Sequence, residues 1–119
     1  MFTVYIYQKS STCRDALKWL DANGIPHQVK AIRETPPSRA ELKTALGLMN
    51  GEVRRLFNTS GIDYRALGIK DKLPAMSESE TLGLLSQNGN LVKRPFLIGD
   101  GIALTGFKAE VWQEALSGV

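Results

Sequence analysis

The chain opens on an apolar run, Phe2-Thr3-Val4-Tyr5-Ile6-Tyr7, rich in β-branched and aromatic side chains. This pattern predicts a buried strand. Ser10-Ser11-Thr12 then supplies helix-capping side chains. Cys13, Ala16, Leu17 and Leu20 follow at the spacing of one helical face. Gly24 closes that helix, and His27 to Ile32 predicts a second strand with Val29 and Ala31 on one face. Strand, helix and strand so close together form a βαβ unit with a parallel strand pair.

The pattern then changes. Pro36-Pro37 breaks the chain, and Ser38-Arg39-Ala40-Glu41 is a capping box ahead of Leu42, Ala45 and Leu46. Two short helices are expected at 51–57 and 62–67. Ser77-Glu78-Ser79-Glu80 is a second box, ahead of Leu82, Leu84 and Leu85. Asn88-Gly89-Asn90 marks a turn. Phe96-Leu97-Ile98 and Ile102-Ala103-Leu104 flank Asp100-Gly101, a hairpin signal. A closing helix over 107–116 turns Val111, Trp112, Ala115 and Leu116 inward. The order βαβ, helical insert, ββα predicts one α/β domain over 1–119. Its thioredoxin-like core, with a mixed four-stranded sheet, covers 1–35 and 88–119. The insert, 36–87, packs at one end.

Composition narrows the function classes. The chain is 43% hydrophobic and 23% charged, which excludes a disordered chain. No apolar run reaches the roughly 20 residues that span a bilayer, so no membrane role is expected. The N-terminus lacks the basic start and cleavage site of a signal peptide, which makes the cytoplasm the expected compartment. One cysteine excludes a disulfide framework and a Cys-rich metal site. A net charge of +3 is too small to signal direct nucleic-acid binding. Arg65, Lys70, Lys72, Lys93 and Arg94 would make an anion site if the fold gathered them, and a solvated surface otherwise.

Cys13 lies in the first turn of the first helix, where backbone N–H groups favour a thiolate. It also lies on the apolar stripe, and free cysteine is often a small buried hydrophobe. Ser10 precedes it with the spacing of a Cys-x-x-Cys motif. A hydroxyl does not replace a thiol as nucleophile without a partner base, and a capping role suits Ser10 better. Arg94-Pro95 opens the third strand. In this fold class a proline there is commonly cis and faces the thiol, so Arg94 is a candidate for binding an oxyanion. Arg65 alone is a weak signal. His27, Trp19 and Trp112 read as structural.

These residues carry a resemblance. Tyr5, Ser-Ser-Thr-Cys-Arg-Asp-Ala-Leu at 10–17, Pro-Pro-Ser at 36–38 and Leu-Phe-Asn-Thr-Ser-Gly at 56–61 come first. Tyr-Arg-Ala-Leu-Gly at 64–68, Lys-Asp-Lys-Leu-Pro at 70–74, Lys-Arg-Pro at 93–95 and Gly-Phe-Lys at 106–108 follow. The chain resembles the arsenate reductase family of the glutaredoxin-coupled type, closest to the branch of Spx regulators and arsenate-reductase-like proteins. The resemblance implies a nucleophilic cysteine at the position of Ser10, and anion-binding arginines at Arg65 and Arg94, the latter before a cis Pro95. It implies glutathione with glutaredoxin as reductant, and no bound cofactor. Two departures stand out. The nucleophile position is serine, and the third arginine is replaced by Phe107, with Lys108 only adjacent. Three functions follow as expectations. The first is a thiol oxidoreductase that uses Cys13 with glutathione, glutaredoxin or a protein thiol. The second is a regulator that binds RNA polymerase through the C-terminal domain of its α chain. The third is a non-catalytic binding protein.

Overall fold

A computed structural model describes all residues, 1–119. Four strands form one sheet in the order β2-β1-β3-β4. They are β1 (Phe2–Ile6), β2 (His27–Ala31), β3 (Phe96–Gly99) and β4 (Ile102–Thr105). β1 runs parallel to β2 and antiparallel to β3, and β3 and β4 form the hairpin. The sheet is therefore mixed, as the element order requires. Asp100 takes a left-handed conformation in the hairpin turn, beside Gly101, a geometry that Asp and Gly tolerate best.

Helix α1 (Ser11–Ala22) and helix α6 (Ala109–Leu116) cover one face. Phe2, Val4, Ala16, Leu20, Leu97, Leu104, Trp112 and Leu116 pack together there. The other face carries Tyr5, Phe96 and Ile98, and onto it packs the insert. Adjacent residues of β1 and β3 thus serve opposite cores, as the two-residue period of a strand demands. The insert contains α2 (Arg39–Leu48), α3 (Ile62–Ala66), α4 (Ile69–Lys72) and α5 (Glu78–Gln87), with 3-10 turns at Val53–Leu56 and Leu73–Ala75. It holds no strand, only an isolated bridge from Phe57 to Val92.

Two expectations need correction. The insert packs over the β1 and β3 part of one sheet face rather than at one end, because Leu42, Leu46, Leu82 and Leu85 need the apolar side of those strands. Val29 and Ala31 share a face as expected, and both are exposed. Val111 also points outward, since α6 starts two residues later than expected and Trp112 and Leu116 take the inner positions.

The insert is anchored at defined points. The Tyr5 hydroxyl donates to Glu41 Oε1 at 2.6 Å. Burial first, and then the Glu41 carboxylate, push the Tyr5 pKa well above its ordinary value. Arg39 donates to the Ser79 hydroxyl and carbonyl, which ties α2 to α5. Gly89 lies so close to Ile32 that a Cβ would stand 1.8 Å from the Ile32 carbonyl oxygen.

Candidate anion site

The turn after β1 sets the site. The Ser10 N–H donates to the Tyr7 carbonyl at 3.0 Å. Ser10 then caps α1, its Oγ accepting from the Cys13 N–H at 3.3 Å. The Tyr7 N–H points at Cys13 Sγ, 3.5 Å away. Cys13 itself is fully buried. It faces inward with Ala16 and Leu20, which the stripe makes unavoidable.

The second wall is the Lys93–Pro95 segment. The Lys93 N–H donates to the Leu56 carbonyl at 2.8 Å, so the insert holds this loop in place. The Arg94–Pro95 bond is cis. The Pro95 carbonyl accepts from the Gly106 N–H, and the Gly106 carbonyl accepts from the Trp112 indole N–H. Gly106 takes a left-handed φ of 71°, which glycine alone adopts freely, and a Cβ there would press on the Lys93 side chain.

Between these segments lies a cleft of about 530 Å³. Arg55, Lys93, Arg94 and Lys108 line it together with the hydroxyl-bearing Thr12 and Thr105, and no acid lines it. Phe107 and Trp112 form its apolar side, in edge-to-face contact at 5.0 Å. Arg55 has a partial partner in Glu52 at 3.6 Å, whereas Lys93, Arg94 and Lys108 form no ion pair. Four cations without an acid give the cleft a strong positive potential.

Arg94 is held against Tyr7, its guanidinium carbon 5.0 Å from the ring centroid, and Arg33 approaches the same ring at 4.8 Å. Arg33 is fixed in turn by Asn90, which accepts from its Nε at 2.7 Å. One guanidinium nitrogen of Arg94, Nη1, is buried and has no partner. That nitrogen is enclosed against the protein, so the cationic character of the cleft rests on the side chains that line it, Arg55, Lys93, Arg94 and Lys108.

Of the residues singled out from sequence, Lys93, Arg94 and Lys108 line this cleft, and Pro95 follows Arg94 in the chain. Ser10 and Cys13, close to Thr12 in the chain, do not line it. Arg65 is exposed on α3 and does not line the cleft. Lys70 lines a different pocket, and Lys72 lines neither, so the five basic residues do not form one patch. Arg55 and Arg33 were not legible. Arg55 arrives through the 3-10 turn at Val53–Leu56, and Arg33 through the end of β2, and no local pattern marks either.

The ArsC family model matches residues 5–115, nearly the entire chain. The chain belongs to the ArsC family. Its relative YusI of Bacillus subtilis, an uncharacterised protein, is 45% identical over 94% of this chain and 95% of that one. An arsenate reductase of Rhizobium meliloti is 30% identical over 81% of this chain and 67% of its own length. The global transcriptional regulator Spx of Streptococcus pneumoniae is 27% identical over 92% of this chain and 81% of its own length. Among solved structures, one described as a possible arsenate reductase from Streptococcus mutans is 39% identical, covers 92% of both chains and superposes with a TM-score of 0.85. The ArsC fold thus accounts for both the mixed sheet and the helical insert.

Proposed function

We propose that this ArsC protein binds an anion in the cationic cleft, depends on an external thiol for any redox step, and is impaired as a direct arsenate reductase. One observation carries the reading: an acid-free cleft lined by Arg55, Lys93, Arg94 and Lys108 lies beside a helix start whose only thiol, Cys13, is buried. The family nucleophile falls on Ser10, and its Oγ is already occupied as the α1 cap. A free thiol is a few per cent ionised at neutral pH and a serine hydroxyl essentially not at all. Attack on an arsenic centre therefore needs a thiol from outside the chain. Glutathione, glutaredoxin or another protein thiol is the class of reductant we assign. Arg94 and Lys108 hold the anion, cis Pro95 shapes the loop, and Arg65 is assigned a lesser role on approach.

The test is arsenate reduction coupled to glutathione and glutaredoxin, run beside direct anion binding. We expect saturable binding of arsenate or sulfate, weakened at least tenfold by Arg94→Ala, and turnover near background. Ser10→Cys places a thiol at the family nucleophile position and is expected to raise turnover. Strong native turnover abolished by Cys13→Ser overturns the proposal.

The likeness to Spx supports a second reading, association with RNA polymerase through the C-terminal domain of its α chain. Spx matches this chain over most of its length, insert included. Co-purification with that domain, unaffected by Arg94→Ala, would favour regulation over anion chemistry.

A further inference from the structure

A second pocket lies wholly within the insert and is lined by other residues than the cationic cleft. Its volume is about 400 Å³, and its lining is Val53, Arg54, Tyr64, Lys70, Leu73 and Pro74. None of these residues lines the first cleft.

Its chemistry is divided. Val53, Leu73 and Pro74 supply apolar walls. Tyr64 is a rigid wall, buried and fixed edge-to-face against Phe57 at 5.8 Å. The Tyr64 hydroxyl makes no hydrogen bond within the chain. Arg54 and Lys70 bring two positive charges, no acid lines the pocket, and neither cation has an ion-pair partner. Arg55, by contrast, leans on Glu52.

Size and charge together restrict the ligand. Small-molecule sites run from about 300 to 1,000 Å³, so the pocket is of ligand size. A bare tetrahedral oxyanion would leave most of it unfilled and the apolar walls wet. A purely apolar ligand would leave both cations unused. We infer that the insert pocket formed by Val53, Arg54, Tyr64, Lys70, Leu73 and Pro74 binds a small organic monocarboxylate with an apolar or aromatic body. The carboxylate lies between Arg54 and Lys70 in charge-assisted contacts, and the body packs on Tyr64, Leu73 and Pro74. This site is independent of the proposed anion chemistry and of Cys13.

The experiment titrates isotope-labelled full-length protein with 4-phenylbutyrate and follows backbone amide shifts by NMR. A parallel titration uses the neutral amide, 4-phenylbutyramide. The expected result is saturable shifts at residues 53–54, 64 and 69–73, with the amide binding at least tenfold more weakly. The double variant Arg54→Gln/Lys70→Gln, which changes only exposed side chains, is expected to weaken the carboxylate at least tenfold and to leave the amide unchanged. Three results overturn the inference: no saturation, equal binding of acid and amide, or shifts confined to the Lys93–Lys108 cleft. Arsenate turnover and Arg94→Ala do not bear on any of them.

Discussion

Ser10 and Cys13 show how one turn of helix separates two fates. Ser10 stays at the end and spends its oxygen on capping, while Cys13 faces the core. Ser10→Ala removes the cap and is expected to cost about 1 kcal/mol in urea unfolding. Cys13→Ala opens a small cavity and is expected to cost about 1–2 kcal/mol while leaving anion affinity unchanged. A fall in anion affinity as large as that of Arg94→Ala would make Cys13 part of the site. Gly89 is a sharper case. Its missing Cβ leaves room for the Ile32 carbonyl, so Gly89→Ala is expected to cost on the order of 3 kcal/mol through overpacking. A melting temperature unchanged from wild type would contradict that geometry.

At the scale of elements, the capping boxes were the most legible feature. Ser38 and Ser77 both cap as the sequence predicts, each with its glutamate reaching back. The Glu80 pKa is lowered, chiefly by its hydrogen bond from the Ser77 backbone. A group whose folded pKa is depressed lends stability above its unfolded pKa and loses it as pH falls through the folded one. The α5 start is therefore expected to loosen only below the ordinary carboxylate range. Amide exchange in α5 should rise there, and Glu80→Gln should flatten that acid limb. The strands and α1 were also legible, because their apolar periods are strong. α4 and the 3-10 turn at Leu73–Ala75 were not. They are too short to show a period, although Gly68, in a left-handed conformation, does mark the end of α3. One of the four cleft cations, Arg55, escaped for a related reason, as did Arg33 behind Tyr7. Both are placed by long-range contacts, Thr105 donating to the Arg55 carbonyl and Asn90 holding Arg33.

At the scale of the molecule, the insert shapes the chemistry. It buries one face of the sheet, holds the Lys93–Pro95 loop through the Leu56 carbonyl, and delivers Arg55 to the cleft. On α1 the only thiol is fully buried, with the Tyr7 N–H directed at its sulfur. The protein therefore presents cations to solvent and keeps its thiol inside. Mass spectrometry of the folded protein after exposure to oxidised glutathione reads this separation. Cys13 is expected to remain unmodified until denaturant opens the core, and then to react fully. Stoichiometric glutathione addition to Cys13 in the native protein would contradict a buried, structural thiol.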